Sequence, residues 1–184
     1  MSLAVVSGSA TYTGTAVGAT LPGTYTITPI VGTLSATNYD FTPFVNGTLK
    51  ITYGTCSGSQ AGGVILPPIN SDGTSVYPRK GGSTIPVKFT VCDANGNPIS
   101  NPAAVFGANP VGAAITLLSA VRGTVDNINE IGDTIDVASN AFRYSDGQWI
   151  FNMATSNLTA TTTYTFRINL AYAPASIVFK VGVK

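Results

Sequence analysis

The stretch Phe142-Arg143-Tyr144-Ser145-Asp146-Gly147-Gln148-Trp149-Ile150-Phe151 decides the fold. Asp-Gly tolerates the two positive φ angles of a type I′ turn, whose twist suits a two-residue hairpin. A loop of Asp146 and Gly147 pairs Ser145 with Gln148, Tyr144 with Trp149 and Phe142 with Phe151. The four aromatics then share one face, with Arg143 and Ile150 on the other. That face has two readings. Exposed, it is a stacking platform for sugar rings or a partner protein, centred on Tyr144 and Trp149. Buried, it is the main core of a β-sandwich. The alternation of these rings with polar neighbours favours the core.

The same period continues along the chain. Thr24-Tyr25-Thr26-Ile27, Thr48-Leu49-Lys50-Ile51-Thr52-Tyr53, Val87-Lys88-Phe89-Thr90-Val91, Tyr164-Thr165-Phe166-Arg167-Ile168 and Ile177-Val178-Phe179-Lys180-Val181 alternate strictly. Each reads as a strand with one set of side chains inward. Lys88 then points away from the core. A second hairpin spans Val91 to Ile99, turning at or near Asn95-Gly96. Its Asp93-Ala94-Asn95-Gly96-Asn97 looks like the opening of a calcium loop, but a turn is the more economical reading. In a turn, Asp93 and Asn97 bond nearby amides. Helix signals are nearly absent, and turns rather than crossovers join the strands, so the sheets are expected to be mostly antiparallel.

Composition narrows the chemistry. Charged residues are 9% of the 184, against roughly 25% in ordinary soluble domains. The net charge is +1, so no basic field exists to grip nucleic acid or an anionic membrane. The pair Arg79-Lys80 is too small for that purpose. There is no histidine, which removes the commonest general base and metal ligand. Ser-His-Asp and Cys-His chemistry is excluded with it. No apolar run approaches the roughly 18 residues of a membrane span. Met1-Ser2-Leu3 begins no leader-like run and reads as the edge of a fragment.

The stretch 54–82 is rich in Gly, Ser and Pro and is read as a linker leading into a second domain. The 4–53 segment before it is strand-and-turn sequence. The 83–184 segment after it has the size of one immunoglobulin-like sandwich. The expected fold class is all-β: an antiparallel immunoglobulin-like β-sandwich with a partial immunoglobulin-like segment at its N-terminal side. A 50-residue segment buries little by itself. It is expected to dock on the second module or on another copy of the chain, and unpaired strand edges suggest a homodimer.

Two families are resembled. Gly82-Ser83-Thr84-Ile85-Pro86-Val87-Lys88-Phe89-Thr90, then Cys92-Asp93-Ala94-Asn95-Gly96-Asn97, Phe142-Arg143-Tyr144, Gln148-Trp149-Ile150-Phe151-Asn152 and Tyr164-Thr165-Phe166-Arg167-Ile168 are similar to the bacterial PxKF domain, over about 53–184. Gly23-Thr24-Tyr25-Thr26-Ile27, Gly32-Thr33-Leu34-Ser35-Ala36, Asn38-Tyr39 and Phe44-Val45-Asn46-Gly47-Thr48-Leu49 resemble the C-terminal half of an MBG-type bacterial immunoglobulin-like repeat, over about 4–53. The first resemblance implies a Cys56–Cys92 disulfide, the alternative being two free buried thiols. Together they imply a non-catalytic structural or adhesive module of an exported bacterial protein, located outside the cell or on its surface. Its partners would be other domains of that protein, with a protein or glycan contact on the loops. The alternative is a carbohydrate-binding module accessory to a secreted hydrolase.

The one acidic concentration runs from Asp126 to Asp136 and holds four of the eight acids. Asp126, Asn129, Glu130 and Asp133 are the candidate calcium ligands, since closely spaced oxygens suit that ion. Their spacing is not that of a helix-flanked calcium loop. Solvated loop carboxylates explain the segment equally well, and no cofactor is required by any motif.

Overall fold

The computed structural model describes residues 5–58, 62–80, 83–107, 115–123, 125–132, 139, 141–172 and 176–184. Of the candidate calcium ligands, Asp133 lies outside them, as does Gly82 of the PxKF-like run. The chain divides between Thr52 and Tyr53 into two compact units.

The first unit contains β1 (Val6–Ser7), β2 (Thr11–Thr13), β3 (Gly23–Ile30), β4 (Ser35–Ala36) and β5 (Gly47–Ile51). β1 pairs with β4, and β2-β3-β5 form an antiparallel three-stranded sheet. The register places Tyr12 opposite Pro29, Tyr25 opposite Leu49 and Gly23 opposite Ile51. Period-two alternation therefore gathers Tyr12, Tyr25, Ile27, Leu49 and Ile51 on one face. Thr13, Thr24, Thr26, Thr28, Thr48 and Lys50 occupy the other. Among the described residues of this unit only Pro22 and Gly23 are buried.

The second unit contains β6 (Ile65–Leu66), β7 (Val76–Tyr77), β8 (Thr84–Phe89), the short helix α1 (Pro102–Phe106), β9 (Ile115–Arg122), β10 (Arg143–Ser145), β11 (Gln148–Ala154), β12 (Thr162–Asn169) and β13 (Ser176–Val183). Two four-stranded sheets, ordered β10-β11-β8-β6 and β7-β13-β12-β9, pack together as an all-β sandwich. Every pairing is antiparallel except β7 with β13, which is parallel. The five alternating runs read from the sequence lie on β3, β5, β8, β12 and β13. Pro86 sits past the end of β6, in the half of β8 that has β11 as its partner, where a strand tolerates proline.

The Asp146-Gly147 hairpin has the expected register, Ser145 with Gln148 and Tyr144 with Trp149, and both turn residues have positive φ. Its rings enter the core. Phe142 stands 5.3 Å from Phe89 and 5.4 Å from Phe151, and Trp149 stands 5.0 Å from Phe106. From the facing sheet come Tyr164, Phe166 and Phe179, stacked in succession. Val87, Ile85, Phe89, Ile168, Val181 and Val183 are completely buried between the layers.

Two elements differ from the sequence reading. The 54–82 stretch is not a bare linker. It supplies β6 and β7, and Ile69 and Tyr77 are core residues. Arg79 anchors it, donating from Nε to the Leu158 carbonyl at 2.7 Å and from Nη2 to the Ser156 carbonyl. The helix α1 was not expected. Asn101 caps it by accepting from the Ala103 amide, and Pro102 occupies the first turn. Its Phe106 packs edge-on against both Phe89 and Trp149.

Candidate functional site

Cys56 and Cys92 form a disulfide, with Cα atoms 5.2 Å apart and a separation of 36 positions in sequence. Backbone pairing brings them together. The Gly54 amide donates to the Cys92 carbonyl at 2.9 Å, and the Ser57 amide donates to the Gly96 carbonyl at 3.0 Å. Gly54 has to be glycine for this approach, because a Cβ there would collide with the Asp93 carbonyl oxygen. The crosslink thus ties the start of the second unit to the end of β8 and its hairpin. Tyr53 adds a second tie, its hydroxyl donating to the Ala104 and Val105 carbonyls of α1. Burial pushes the Tyr53 phenol up to about 12.

The Asp93 turn is occupied by its own backbone. Asp93 Oδ1 accepts from the amides of Asn95 and Asn97, both at 2.9 Å, and Gly96 takes the left-handed conformation. This is a three-residue hairpin loop with the glycine in its αL position. The hydrogen bond from the Asn97 amide is the main cause holding the Asp93 carboxyl below its ordinary range. Asp72 is likewise held low, first by the Thr74 hydroxyl and then by the Thr74 amide.

In the described residues of the acidic segment, two of the candidate calcium ligands, Asn129 and Glu130, make hydrogen bonds to the chain around β7. Asn129 acts as a clasp on the edge strand β7. Its Oδ1 accepts from the Val76 amide at 2.7 Å, and its Nδ2 donates to the Thr74 carbonyl at 2.9 Å. Glu130 Oε1 accepts from Asn70 Nδ2 and Ser75 Oγ, each at 3.1 Å. Asn129 Oδ1 and Glu130 Oε1 thus fasten the segment to β7 and to the chain just before it. Asp126 is exposed. Among the described residues no group of three or more Cys, Asp or Glu is gathered in the way a metal ion requires.

The aromatic strip takes the buried reading that the sequence favoured. Trp149 is 3% exposed, and its indole N–H donates to the Ile99 carbonyl at 2.9 Å. Tyr144 packs against it, ring centroids 5.3 Å apart. Trp149 therefore presents no open ring on which a sugar could stack. Buried neutral polar atoms occur elsewhere: Ser83 Oγ, Thr84 Oγ1 and both amide atoms of Asn152 have no partner among the described residues. None of these groups is ionisable.

The site that the sequence reading missed is on the first unit. A cleft of about 440 Å³ is lined by Tyr12, Thr13, Ala16, Val17, Ile27 and Leu49. Its floor is the apolar face of the β2-β3-β5 sheet. One wall is the turn after β2, held down where the Ala16 amide donates to the Thr26 carbonyl and the Thr26 amide donates to Thr15 Oγ1. Tyr12 is 64% exposed and Val17 67%. The signal for it was the alternation of Thr11-Tyr12-Thr13 and of β3, which says which side chains share a face. Two clefts among the described residues of the second unit are more polar. One, lined by Ile65, Pro67, Ile69, Asn70, Ser71 and Asp72, carries a carboxylate already occupied by Thr74.

No family model matches the chain, and neither a curated protein nor a solved structure matches it.

Proposed function

We propose that the chain is a non-catalytic structural module of an exported protein, in which the second unit is a rigid spacer and the first unit makes adhesive contact. The observation that carries this reading is the use of the chemistry-bearing residues. The disulfide fastens the start of the second unit to its hairpin, and the aromatic strip is turned inward. The carboxylates with resolved shifts, Asp72 and Asp93, are lowered, whereas a general acid needs a raised one. The disulfide supports an oxidising compartment, and among the described residues no helix is long and apolar enough to cross a membrane. The PxKF-like and MBG-like runs support a bacterial surface or secreted protein built of several such modules.

The test is single-molecule pulling on the full chain held between flanking handle domains. The second unit is expected to open in one force-resisting event. Its contour gain should be shorter when oxidised, because the 36-residue span between the cysteines stays closed. At roughly 3.4 Å per extended residue that difference is about 120 Å. Extension without a force peak would contradict a spacer role. Saturable binding of the wild-type chain in a glycan array would favour the carbohydrate-binding alternative instead.

A further inference from the structure

The chain contains four pairs of Asn or Asp followed by glycine: Asn46-Gly47, Asp72-Gly73, Asn95-Gly96 and Asp146-Gly147. In three of them the backbone requires the glycine. Gly73, Gly96 and Gly147 sit in turns with φ from 79° to 84°, where any other side chain is strained. Gly47 is different. It is the first residue of β5, its φ lies outside that region, and a Cβ there would meet Ile27 at an ordinary 3.6 Å. What glycine supplies at this position is an unhindered main-chain nitrogen beside an asparagine amide. We propose that Asn46 is a modification site, deamidating spontaneously in the folded protein, while the fold protects Asn95.

The reaction takes only water as co-reactant. The Gly47 nitrogen loses its proton and attacks Asn46 Cγ. The N–Cγ bond forms, the Cγ–Nδ2 bond breaks, and Nδ2 leaves as ammonia with that proton. Water then opens the five-membered imide at either carbonyl, and the Gly47 nitrogen regains a hydrogen. Opening at Cγ gives an aspartyl residue. Opening at the main-chain carbonyl gives an isoaspartyl residue, which adds one atom to the backbone immediately before β5. Either product takes the net charge from +1 to zero.

Both asparagines are exposed, so access to Cγ does not separate them. Freedom of the main chain does, because the ring closes only after the next nitrogen swings over Cγ. At Asn95 that rotation breaks a set of bonds. The Asn95 amide donates to Asp93 Oδ1 at 2.9 Å, the Gly96 amide to the Asp93 carbonyl at 3.0 Å, and the Ser57 amide to the Gly96 carbonyl at 3.0 Å. The Cys56–Cys92 crosslink stands next to this turn. At Asn46 the chain is held far less. Residues 42–46 are exposed, and Gly47 forms the last pair of the β3-β5 ladder, opposite Ile27. Ladder ends open at small cost, and the first unit buries little apolar side chain to oppose opening.

Peptide mapping by mass spectrometry tests this on the full wild-type chain, aged for weeks in mildly alkaline buffer with and without concentrated urea. In the native chain, conversion at Asn46 should run at least about tenfold faster than at Asn95, the ratio of their local opening. In urea the two rates should draw together, since both pairs are Asn-Gly. Gly47→Ala, which the backbone accommodates, should slow native conversion at position 46 by at least about tenfold, because the methyl hinders the nitrogen and restricts its rotation. Equal native rates, or a faster Asn95, overturn the proposal. So does an Asn46 that converts in urea and stays intact in the native chain. A gap that persists unchanged in urea overturns it as well, by moving the cause from the fold to the flanking residues.

Discussion

Both units pair their strands in antiparallel ladders, yet only one builds an interior. In the second, Tyr77, Ile85, Val87, Phe89 and Val181 are fully buried; in the first, the described apolar side chains other than Pro22 stay half-buried or exposed. The difference separates two contributions that are usually seen together. A hydrogen bond contributes a net of about 0.5–1.5 kcal/mol, while ordering a residue's backbone costs about 1–2 kcal/mol. A ladder therefore roughly offsets its own ordering. Stability has to come from apolar area removed from water, at about 25 cal/mol per Å², and the first unit removes little. The second unit adds a crosslink and an aromatic cluster to its ladders.

Substitutions should divide along this line. Phe89→Ala removes a ring in contact with Phe106 and Phe142 and should destabilise the second unit by about 3–5 kcal/mol. Tyr12→Ala in the first unit should change stability by less than about 0.5 kcal/mol in dilute solution. Denaturant titrations followed by Trp149 fluorescence for the former, and by circular dichroism for both, measure the contrast. Equal costs would erase it.

Next in size is the crosslink. Cys56→Ser/Cys92→Ser should lower the stability of the second unit by about 3–4 kcal/mol for a loop of this length in the chain-entropy model. Amide exchange in β3 and β5 should stay unchanged. Thiol labelling of the untreated native protein should fail, and ready labelling of both cysteines would refute the bridge.

Smaller again is the clasp on β7. Asn129→Ala leaves the buried Val76 amide without its side-chain acceptor, at a cost of about 1–3 kcal/mol. Addition of a chelator should leave the melt of the wild type unmoved, because Asn129 and Glu130 serve strand β7.

The smallest effect is on pH. Hydrogen bonds hold the Asp72 and Asp93 carboxyls below their ordinary range, so folding favours their ionised forms. Their contribution is complete above the ordinary carboxylate pKa of about 4. It fades as pH falls through the lower folded values. Both belong to the second unit, whereas Asp40 is the one carboxylate side chain of the first. Stability measured from about pH 5 downward should fall for the second unit, and Asp93→Asn should flatten that slope. A slope identical to the wild type's would remove Asp93 from the account.

The hairpin at Asp146-Gly147 was legible because few residue pairs accept two positive φ angles, and its register then followed from counting. β9 was not legible, since Ile115-Thr116-Leu117-Leu118-Ser119 breaks the alternation and the strand carries a register shift opposite Thr165 and Phe166. β6 and β7 are two residues each, hidden in a Gly- and Pro-rich stretch, and their burial arises from tertiary contacts that composition does not encode. The capping residues of α1, Asn101 and Pro102, are a readable start signal, but five residues are too few to show a helical period. The cysteine pair came through resemblance, because a 36-residue separation by itself specifies no partner. The groove at Tyr12 and Val17 was hidden for a different reason. β3 and β5 alternate as cleanly as β12, and alternation says which side chains share a face without saying whether anything covers it.

Native-state hydrogen exchange on the dilute full chain tests the contrast most directly. Amides of β8, β11, β12 and β13 should exchange only through global opening of the second unit, while those of β3 and β5 exchange through openings of far lower free energy. Matching protection in both units at a concentration where the chain is monomeric would contradict a first unit that lacks a core of its own.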